Sequence, residues 1–248
     1  MLSNTLKSTI SAALLITGSV TVSASAQDQE KTFLYASYFS CPAGKMSDVS
    51  KVIKDQFAPL YDAAVKDGTL KDWGWSTHHT GGHWQLIFNH SNNTIDALLK
   101  SADTMNERGK AAKVDPENIF GKICNSHEDY IWELTQGATG EVEGPAALST
   151  YYQCDISQED RADEIVKTAF AQNFNANMGK GKLSSWAWAS HSYGGKYRRG
   201  MWTSAANYTD LLKTMDAIFE ANYGNDSKAG REFTQICSSH SDYLWNRH

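Results

Sequence analysis

A nine-residue motif that could carry acid–base chemistry occurs twice. It has the form Cys-x-Ser-His-x-Asp-Tyr-[Ile/Leu]-Trp and begins at Cys124 and at Cys237. In a strand, alternate side chains share a face, so the His and Asp point one way and the Tyr and Trp the other. Such a pair can act as an oriented general base, bind a ligand or form half a metal site, or it can be a solvated His–Asp pair. The candidate ligand-binding residues from this motif are His127, Asp129, His240 and Asp242.

A second duplicated motif, Trp-[Gly/Ala]-Trp-[Ser/Ala]-[Thr/Ser]-His, occupies residues 73–78 and 186–191. Strand alternation places the two Trp on one face and a row of small residues ending in His78 or His191 on the other. That row leaves room for a ligand if it faces a cavity, and room for a closely packed helix if it faces outward. A partly buried His with satisfied hydrogen bonds is the alternative interpretation.

Extra histidines distinguish the first copy from the second. His78, His79 and His83 lie close together, and an alternative hypothesis is that they gather a metal ion near a turn, although a His-rich exposed turn is more often simply polar. We expect no metal and no cofactor in the main interpretation. The second copy instead carries Arg198 and Arg199, so the two copies are not equivalent.

These motifs belong to one internal repeat. Residues 41–132 align without a gap on residues 154–245 at an offset of 113, and 26 of the 92 pairs are identical. We therefore predict a first unit over 31–134, a linker over 135–147 and a second unit over 148–248. Aromatic and β-branched runs, helical spacing of apolar residues and a Gly-Gly turn predict the order β-α-β-β-α-β in each unit.

That order is the split βαβ, or ferredoxin-like, unit, an antiparallel sheet with helices on one face. Two such units can pack their open faces together, so the predicted fold class is α+β with a pseudo-two-fold barrel. In this topology the first and last strands are antiparallel neighbours. We therefore predict one disulfide per unit, pairing Cys41 with Cys124 and Cys154 with Cys237, each over 83 residues.

The duplicated order resembles the dimeric α+β barrel superfamily fused in tandem, which includes the antibiotic-biosynthesis monooxygenases. The resemblance covers nearly all of 31–248 and implies cofactor-independent oxygenation or acid–base rearrangement. A His would then accept the proton and Tyr38 would donate one. The candidate catalytic residues are His78, His191, Tyr38 and Tyr151, and the candidate cavity-lining residues are Trp75 and Trp188.

The first 26 of the 248 residues have the features of a bacterial secretory signal. Lys7 supplies the positive start, an apolar stretch follows, and Ala24-Ser25-Ala26 is a small-x-small cleavage site, which predicts a mature chain from Gln27. We expect a periplasmic or secreted protein with no membrane attachment after cleavage. Export also makes disulfides the expected state of the four Cys.

The chain has 23 Lys+Arg against 28 Asp+Glu, which argues against nucleic-acid binding. We predict an exported monomer, internally a pseudo-dimer, that binds an apolar or aromatic small molecule between its two units or acts on it without a cofactor. The alternatives are a non-catalytic, disulfide-stapled envelope protein with a filled core, and a His-based metal-binding protein.

Overall fold

A computed structural model describes residues 31–114, 116–140, 144–224 and 226–248, and gives only the backbone of residues 116–119. The predicted signal segment, residues 1–26, lies outside the described residues. No helix in the described part of the chain is long and apolar enough to span a bilayer.

The first unit contains four strands and four helices. They are β1 (Thr32–Ser40), α1 (Met46–Val52), α2 (Ala58–Lys66), β2 (Asp72–Gly81), β3 (Leu86–Asn92), α3 (Ile95–Ala111), α4 (Pro116–Ile123) and β4 (Ser126–Thr139). A π-helical turn, Ile53–Phe57, joins α1 to α2, so these two form one continuous helical segment. Thr94 caps α3 by accepting a hydrogen bond from the Ala97 amide.

The second unit repeats this arrangement. Its elements are β5 (Ala146–Gln153), α5 (Glu159–Ile165), α6 (Ala171–Ala176), β6 (Leu183–Gly194), β7 (Arg199–Ala205), α7 (Tyr208–Tyr223), α8 (Lys228–Ile236) and β8 (Ser239–Arg247). The same π-helical turn recurs at Val166–Phe170. The predicted β-α-β-β-α-β order is present, with α4 and α8 as short additional helices that the sequence patterns did not predict.

The eight strands close into a barrel in the order β1-β3-β2-β8-β5-β7-β6-β4. Each unit contributes four neighbouring strands, and the units meet at two seams, β2 with β8 and β4 with β6. The predicted α+β barrel is therefore confirmed. Residues Thr135–Thr139, which the sequence placed in the linker, continue β4 because they pair with β6 across a seam.

Both predicted disulfides are present, Cys41–Cys124 and Cys154–Cys237. Each joins the end of its unit's first strand to the segment just before the last strand. Because β1 pairs with β4, and β5 with β8, the topology brings the two cysteines of each unit together.

Tightly packed aromatic rings from both units fill the barrel interior. Tyr38 and its counterpart Tyr151 meet edge to face with ring centroids 5.4 Å apart, and both are almost completely buried. The prediction of a cavity between the two units is therefore wrong, because aromatic side chains occupy that space. The large members of this barrel core are Tyr38, Trp84, Tyr130, Trp132, Tyr151, Tyr197, Tyr243 and Trp245.

The duplicated Gly-Gly turns have a packing role at the seams. A Cβ atom on Gly82 would lie 2.0 Å from the ring of Tyr243, and one on Gly195 would lie 2.3 Å from the hydroxyl of Tyr130. Each Tyr comes from the Cys-x-Ser-His-x-Asp-Tyr motif of the other unit. The Gly-Gly turn of each unit therefore packs against the Tyr of that motif in the other unit, and this contact requires glycine.

Candidate functional site

A cavity of about 740 Å³ lies in the first unit, between the outer face of its sheet and helices α2, α3 and α4. We call it the unit-one cavity. Strands β1 and β3 supply its floor, and the helices supply its walls. Its apolar lining is mostly aromatic and includes Phe39, Phe57, Tyr61, Phe88 and Phe120. Such a lining suits a flat apolar or aromatic molecule.

The corresponding place in the second unit is filled. There the remaining space is about 10 Å³, room for about one water molecule. The difference comes mainly from one helix, α3 against α7. Facing the cavity, α3 carries Ala102, Asn106, Gly109 and Lys110, and 113 residues later α7 carries Met215, Phe219, Asn222 and Tyr223. Large side chains on α7 thus occupy the volume that α3 leaves open.

His90 is the most enclosed ionisable group of the unit-one cavity. It is 6% exposed, stacks on Tyr35 at 5.4 Å, and its Nε2 has no hydrogen-bond partner among the described residues. Burial lowers the pKa of His90 to about 4, so the imidazole is neutral near pH 7. The counterpart Thr203 faces the 10 Å³ space of the second unit, and its buried hydroxyl has no hydrogen-bond partner in the part of the chain that the structure describes.

A hydroxyl, a carboxylate and an imidazole meet beside the same cavity. Ser37 Oγ donates a hydrogen bond to Asp129 Oδ1 at 2.6 Å, across the register that pairs β1 with β4. His127 Nε2 lies 3.4 Å from Asp129 Oδ2. Burial, reinforced by the Asp129 charge, raises the pKa of Tyr35 to about 12, so Tyr35 remains a protonated donor.

The second unit repeats this set without the open space. Thr150 Oγ1 donates to Asp242 Oδ1 at 2.7 Å, and His240 Nε2 lies 3.3 Å from Asp242 Oδ2. Tyr223, whose counterpart is Lys110, lines the filled pocket there. The hydroxyl–carboxylate–imidazole set therefore belongs to the shared fold, and its exposure to a large cavity is specific to the first unit.

The remaining sequence-predicted residues lie elsewhere. Tyr38 and Tyr151 are in the barrel core, and Trp75 and Trp188 lie beneath helices on the outer faces of the two sheets. Trp75 stacks on His248 at 4.0 Å, and the Trp188 indole donates to Asp163 at 2.8 Å. The structure thus separates these four residues from the unit-one cavity, and of the predicted catalytic and ligand-binding residues it brings only His127 and Asp129 to it.

His78 and His191 lie at the two seams. His78 Nε2 is 2.8 Å from the Gly81 carbonyl oxygen and its ring meets Trp245 edge to face. His191 Nδ1 is 2.8 Å from an Arg198 nitrogen, and burial, with the nearby Arg198 charge, lowers the His191 pKa. Neither lines the unit-one cavity.

The three clustered histidines do not converge on a common point. His78 contacts Gly81, His79 stacks on Tyr208 at 4.1 Å, and His83 lies 3.6 Å from Glu128. Within the described ranges, no group of three or more His, Cys, Asp or Glu is placed to hold a metal ion. The His-rich turn therefore gives no support to the metal-binding alternative.

The shared motifs did not predict Tyr35, Ser37, His90 or the cavity-facing positions of α3. A usable signal was present, because the gap-free repeat aligns each of the four cavity-facing residues of α3 named above with a larger one of α7. On the sheet, His90 against Thr203 and Tyr35 against Leu148 differ in the opposite sense, with the larger side chain in the first unit. Comparison of the two units, position by position, identifies the cavity better than the shared motifs do.

Comparisons with known proteins show similarity in structure only. No family model matches the sequence, and no curated protein sequence is significantly similar to it. A protein assigned as a monooxygenase from Fusobacterium nucleatum aligns with TM-score 0.59 at 10% identity, covering 88% of this chain and 93% of that one. An anthrone oxidase-like protein aligns with TM-score 0.58 at 12% identity, covering 89% and 92%.

A variant chlorite dismutase from Candidatus Nitrospira defluvii aligns with TM-score 0.54 at 10% identity, covering 86% of this chain and 91% of that one. At these identities the likeness concerns the fold. Both halves of the barrel are matched, since each alignment covers most of both chains. The chain therefore shares the fold of these proteins, an α+β barrel, here built from two ferredoxin-like units in one polypeptide.

Proposed function

We propose that this protein binds an apolar or aromatic small molecule in the unit-one cavity. The observation that carries the proposal is the contrast between about 740 Å³ in the first unit and about 10 Å³ at the equivalent place in the second. Two copies of one fold differ where a ligand would sit, so the fold itself does not require the open space. The second unit keeps the filled, structural form.

The polar groups at the cavity support a role in proton transfer. Asp129 is held by Ser37 and lies beside His127, so its carboxylate is oriented and can accept a proton or a hydrogen bond from a ligand. Tyr35 stays protonated and can donate. In this proposal Asp129 takes the proton-acceptor role that the sequence analysis gave to His78 or His191.

An enzymatic form of the proposal is cofactor-independent oxygenation. For an aromatic ketone with a ring CH2 group, proton transfer to Asp129 leaves a carbanion whose electrons can pass to O2. The CH2 becomes C=O, one oxygen atom of O2 remains in the product, and the other leaves as water. The substrate supplies the electrons, so no external reductant is needed. The assignment of two structural neighbours as monooxygenase and anthrone oxidase-like supports testing this reaction first.

The location of the protein is also part of the proposal. The signal-like residues 1–26 and the two disulfides support export to an oxidising compartment. N-terminal sequencing of protein secreted from a bacterial host should give Gln27 as the first residue. A mature protein that retains residues 1–26 would contradict this part.

Native mass spectrometry tests the binding proposal. Disulfide-bonded protein incubated with anthrone, as the named aromatic probe, should show a one-to-one complex. The triple variant Ala102→Met/Asn106→Phe/Lys110→Tyr carries the α7 residues and should lose it, while Lys100→Met, an exposed control on α3, should retain it. We call this triple variant the filled variant. If it binds anthrone as well as the wild type does, the unit-one cavity is not the binding site.

An oxygen electrode tests the enzymatic form separately. The protein should accelerate O2 uptake by anthrone, with one O2 consumed per anthrone converted to the ring diketone. Asp129→Asn should reduce this acceleration at least tenfold, and the matched twin substitution Asp242→Asn should leave it unchanged. If the protein binds anthrone but does not accelerate O2 uptake, the oxygenase proposal is rejected and the binding proposal stands.

A further inference from the structure

The polar groups of the unit-one cavity differ in how far they are exposed to solvent. His90 lies at the enclosed side, where it is 6% exposed, and Lys110 lies on the exposed part of α3. Asn106 is also exposed and lies one helical turn before Lys110. The apolar part of the described lining is mostly aromatic.

The enclosed end requires an uncharged partner. His90 has a buried Nε2 without a hydrogen-bond partner among the described residues, and burial keeps its imidazole neutral. A buried polar atom without a partner costs free energy unless a ligand supplies the hydrogen bond. A hydroxyl or carbonyl group on the ligand would satisfy it without bringing a charge into the aromatic interior.

The open end carries a cation that the second unit lacks. Lys110 corresponds to Tyr223, whose ring lines the filled pocket, so this helix position points toward the cavity in both units. Among the described residues, no carboxylate forms an ion pair with Lys110. The nearest cavity-lining acid, Asp129, is already engaged by Ser37 and His127.

We infer that the unit-one cavity takes an amphipathic aromatic anion, with a hydroxyl or carbonyl group at His90 and a carboxylate or similar acid at Lys110. The inference rests on the proposed function and narrows its ligand class. It assigns two specificity residues, His90 for the uncharged group and Lys110 for the acid, and each can be tested with a separate pair of probes.

Isothermal titration with matched naphthalene probes separates the two contributions. For the acid, 2-naphthoate should bind about tenfold more tightly than 2-naphthamide. Lys110→Met should abolish this preference, whereas the exposed control Lys100→Met should keep it. Because Lys110 is solvent-exposed, raising the salt concentration should reduce the preference as well.

For the uncharged group, 2-naphthol should bind about three- to tenfold more tightly than 2-methylnaphthalene, the range of one neutral hydrogen bond. His90→Thr, which installs the residue of the second unit, should remove the difference, and the exposed control His79→Thr should not. His90→Thr should leave the preference for 2-naphthoate over 2-naphthamide intact, and Lys110→Met should leave the preference for 2-naphthol over 2-methylnaphthalene intact.

Equal binding of all four probes to the wild-type protein would overturn the inference and leave the proposed function standing. A preference for a naphthalene amine over the carboxylate would also overturn it. Binding of no probe at all would reject the inference together with the proposed function. Circular dichroism and urea unfolding of each variant show whether a lost preference comes from loss of folding.

Discussion

The imidazole of His90 is held in its neutral form by the aromatic residues around it. His90 stacks on Tyr35, and the centroid of the Tyr61 ring lies 6.3 Å from that of His90. These rings exclude water from an imidazole that would otherwise titrate near physiological pH. A neutral buried imidazole can accept or donate one hydrogen bond through Nε2. That property makes His90 suited to recognition rather than to holding charge.

The depressed His90 pKa predicts an acid-sensitive contribution to stability. The folded pKa of about 4 lies below the ordinary 6.5, so the unfolded chain binds more protons between these values, and stability falls as pH falls from 6.5 to 4. The full effect is up to about 3 kcal/mol. Urea unfolding at a series of pH values should show this loss in the wild type. His90→Thr should lack that part of the slope, and an identical slope in both proteins would contradict the assignment.

Substituting Asp129 and Asp242 in turn separates the contribution of this carboxylate to folding from its contribution to ligand binding. Each accepts a short hydrogen bond from a hydroxyl on the neighbouring strand and lies beside a His. Replacing either by Asn should cost a similar free energy of unfolding, about 1 kcal/mol, because both sites are partly exposed. Probe binding should change only for Asp129→Asn. A larger binding effect from Asp242→Asn, measured by calorimetry, would place the site in the second unit.

At the scale of elements, α3 and α7 decide which unit has a cavity. Both are amphipathic helices capped at equivalent residues, Thr94 and Asn207, and both pack on the outer face of a sheet. The two helices share the same periodic placement of apolar residues, but their cavity-facing side chains differ in size. Periodicity could therefore predict both helices from sequence, while the cavity depended on side-chain volumes at a few positions.

Substitutions at one pair of twin positions, Met215 and Ala102, should have unequal effects on the free energy of unfolding. Met215→Ala removes a side chain that is 2% exposed and should cost about 2 to 4 kcal/mol in urea unfolding. Ala102→Met adds the same atoms beside open space and should cost less than about 1 kcal/mol, or stabilise. Similar large costs at both positions would show that unit one is as tightly packed as unit two.

The two equivalent disulfides allow a second comparison between the units. Cys124 borders the unit-one cavity, where the segment after α4 enters β4, whereas Cys237 belongs to the filled core of the second unit. Replacing either cysteine pair by Ser should cost about 2 to 5 kcal/mol. Only Cys41→Ser/Cys124→Ser should also weaken probe binding, measured in conditions where the variant remains folded. Equal binding in both variants would mean that this wall of the cavity is not needed.

On the scale of the whole molecule, the two units form one closed barrel whose strands pair across both seams. Gly195 has a Tyr130 hydroxyl where its Cβ would be, and Tyr130 belongs to the barrel core. Gly195→Ala must displace that ring and should lower the free energy of unfolding by about 1 to 3 kcal/mol. Gly44, where an added Cβ meets nothing within 4 Å, supplies the control, since Gly44→Ala should be nearly neutral.

The repeat made the architecture predictable because fold-determining residues had to be kept twice. The cysteine pairs, the Gly-Gly turns and the strand–helix order all recur at one offset, and the structure confirms the disulfides and the barrel. The cavity was not predictable from the same residues. It arises from Ala102, Asn106 and Lys110, where the copies differ, and a search for shared chemistry passes over such positions.

The stoichiometry of probe binding tests whether the first unit carries the binding site while the second has it filled. Calorimetric titration of the disulfide-bonded protein with 2-naphthoate should give one molecule bound per chain. The filled variant Ala102→Met/Asn106→Phe/Lys110→Tyr should bind none while unfolding at a similar urea concentration. Two molecules per chain, or one molecule still bound by the filled variant, would contradict the account.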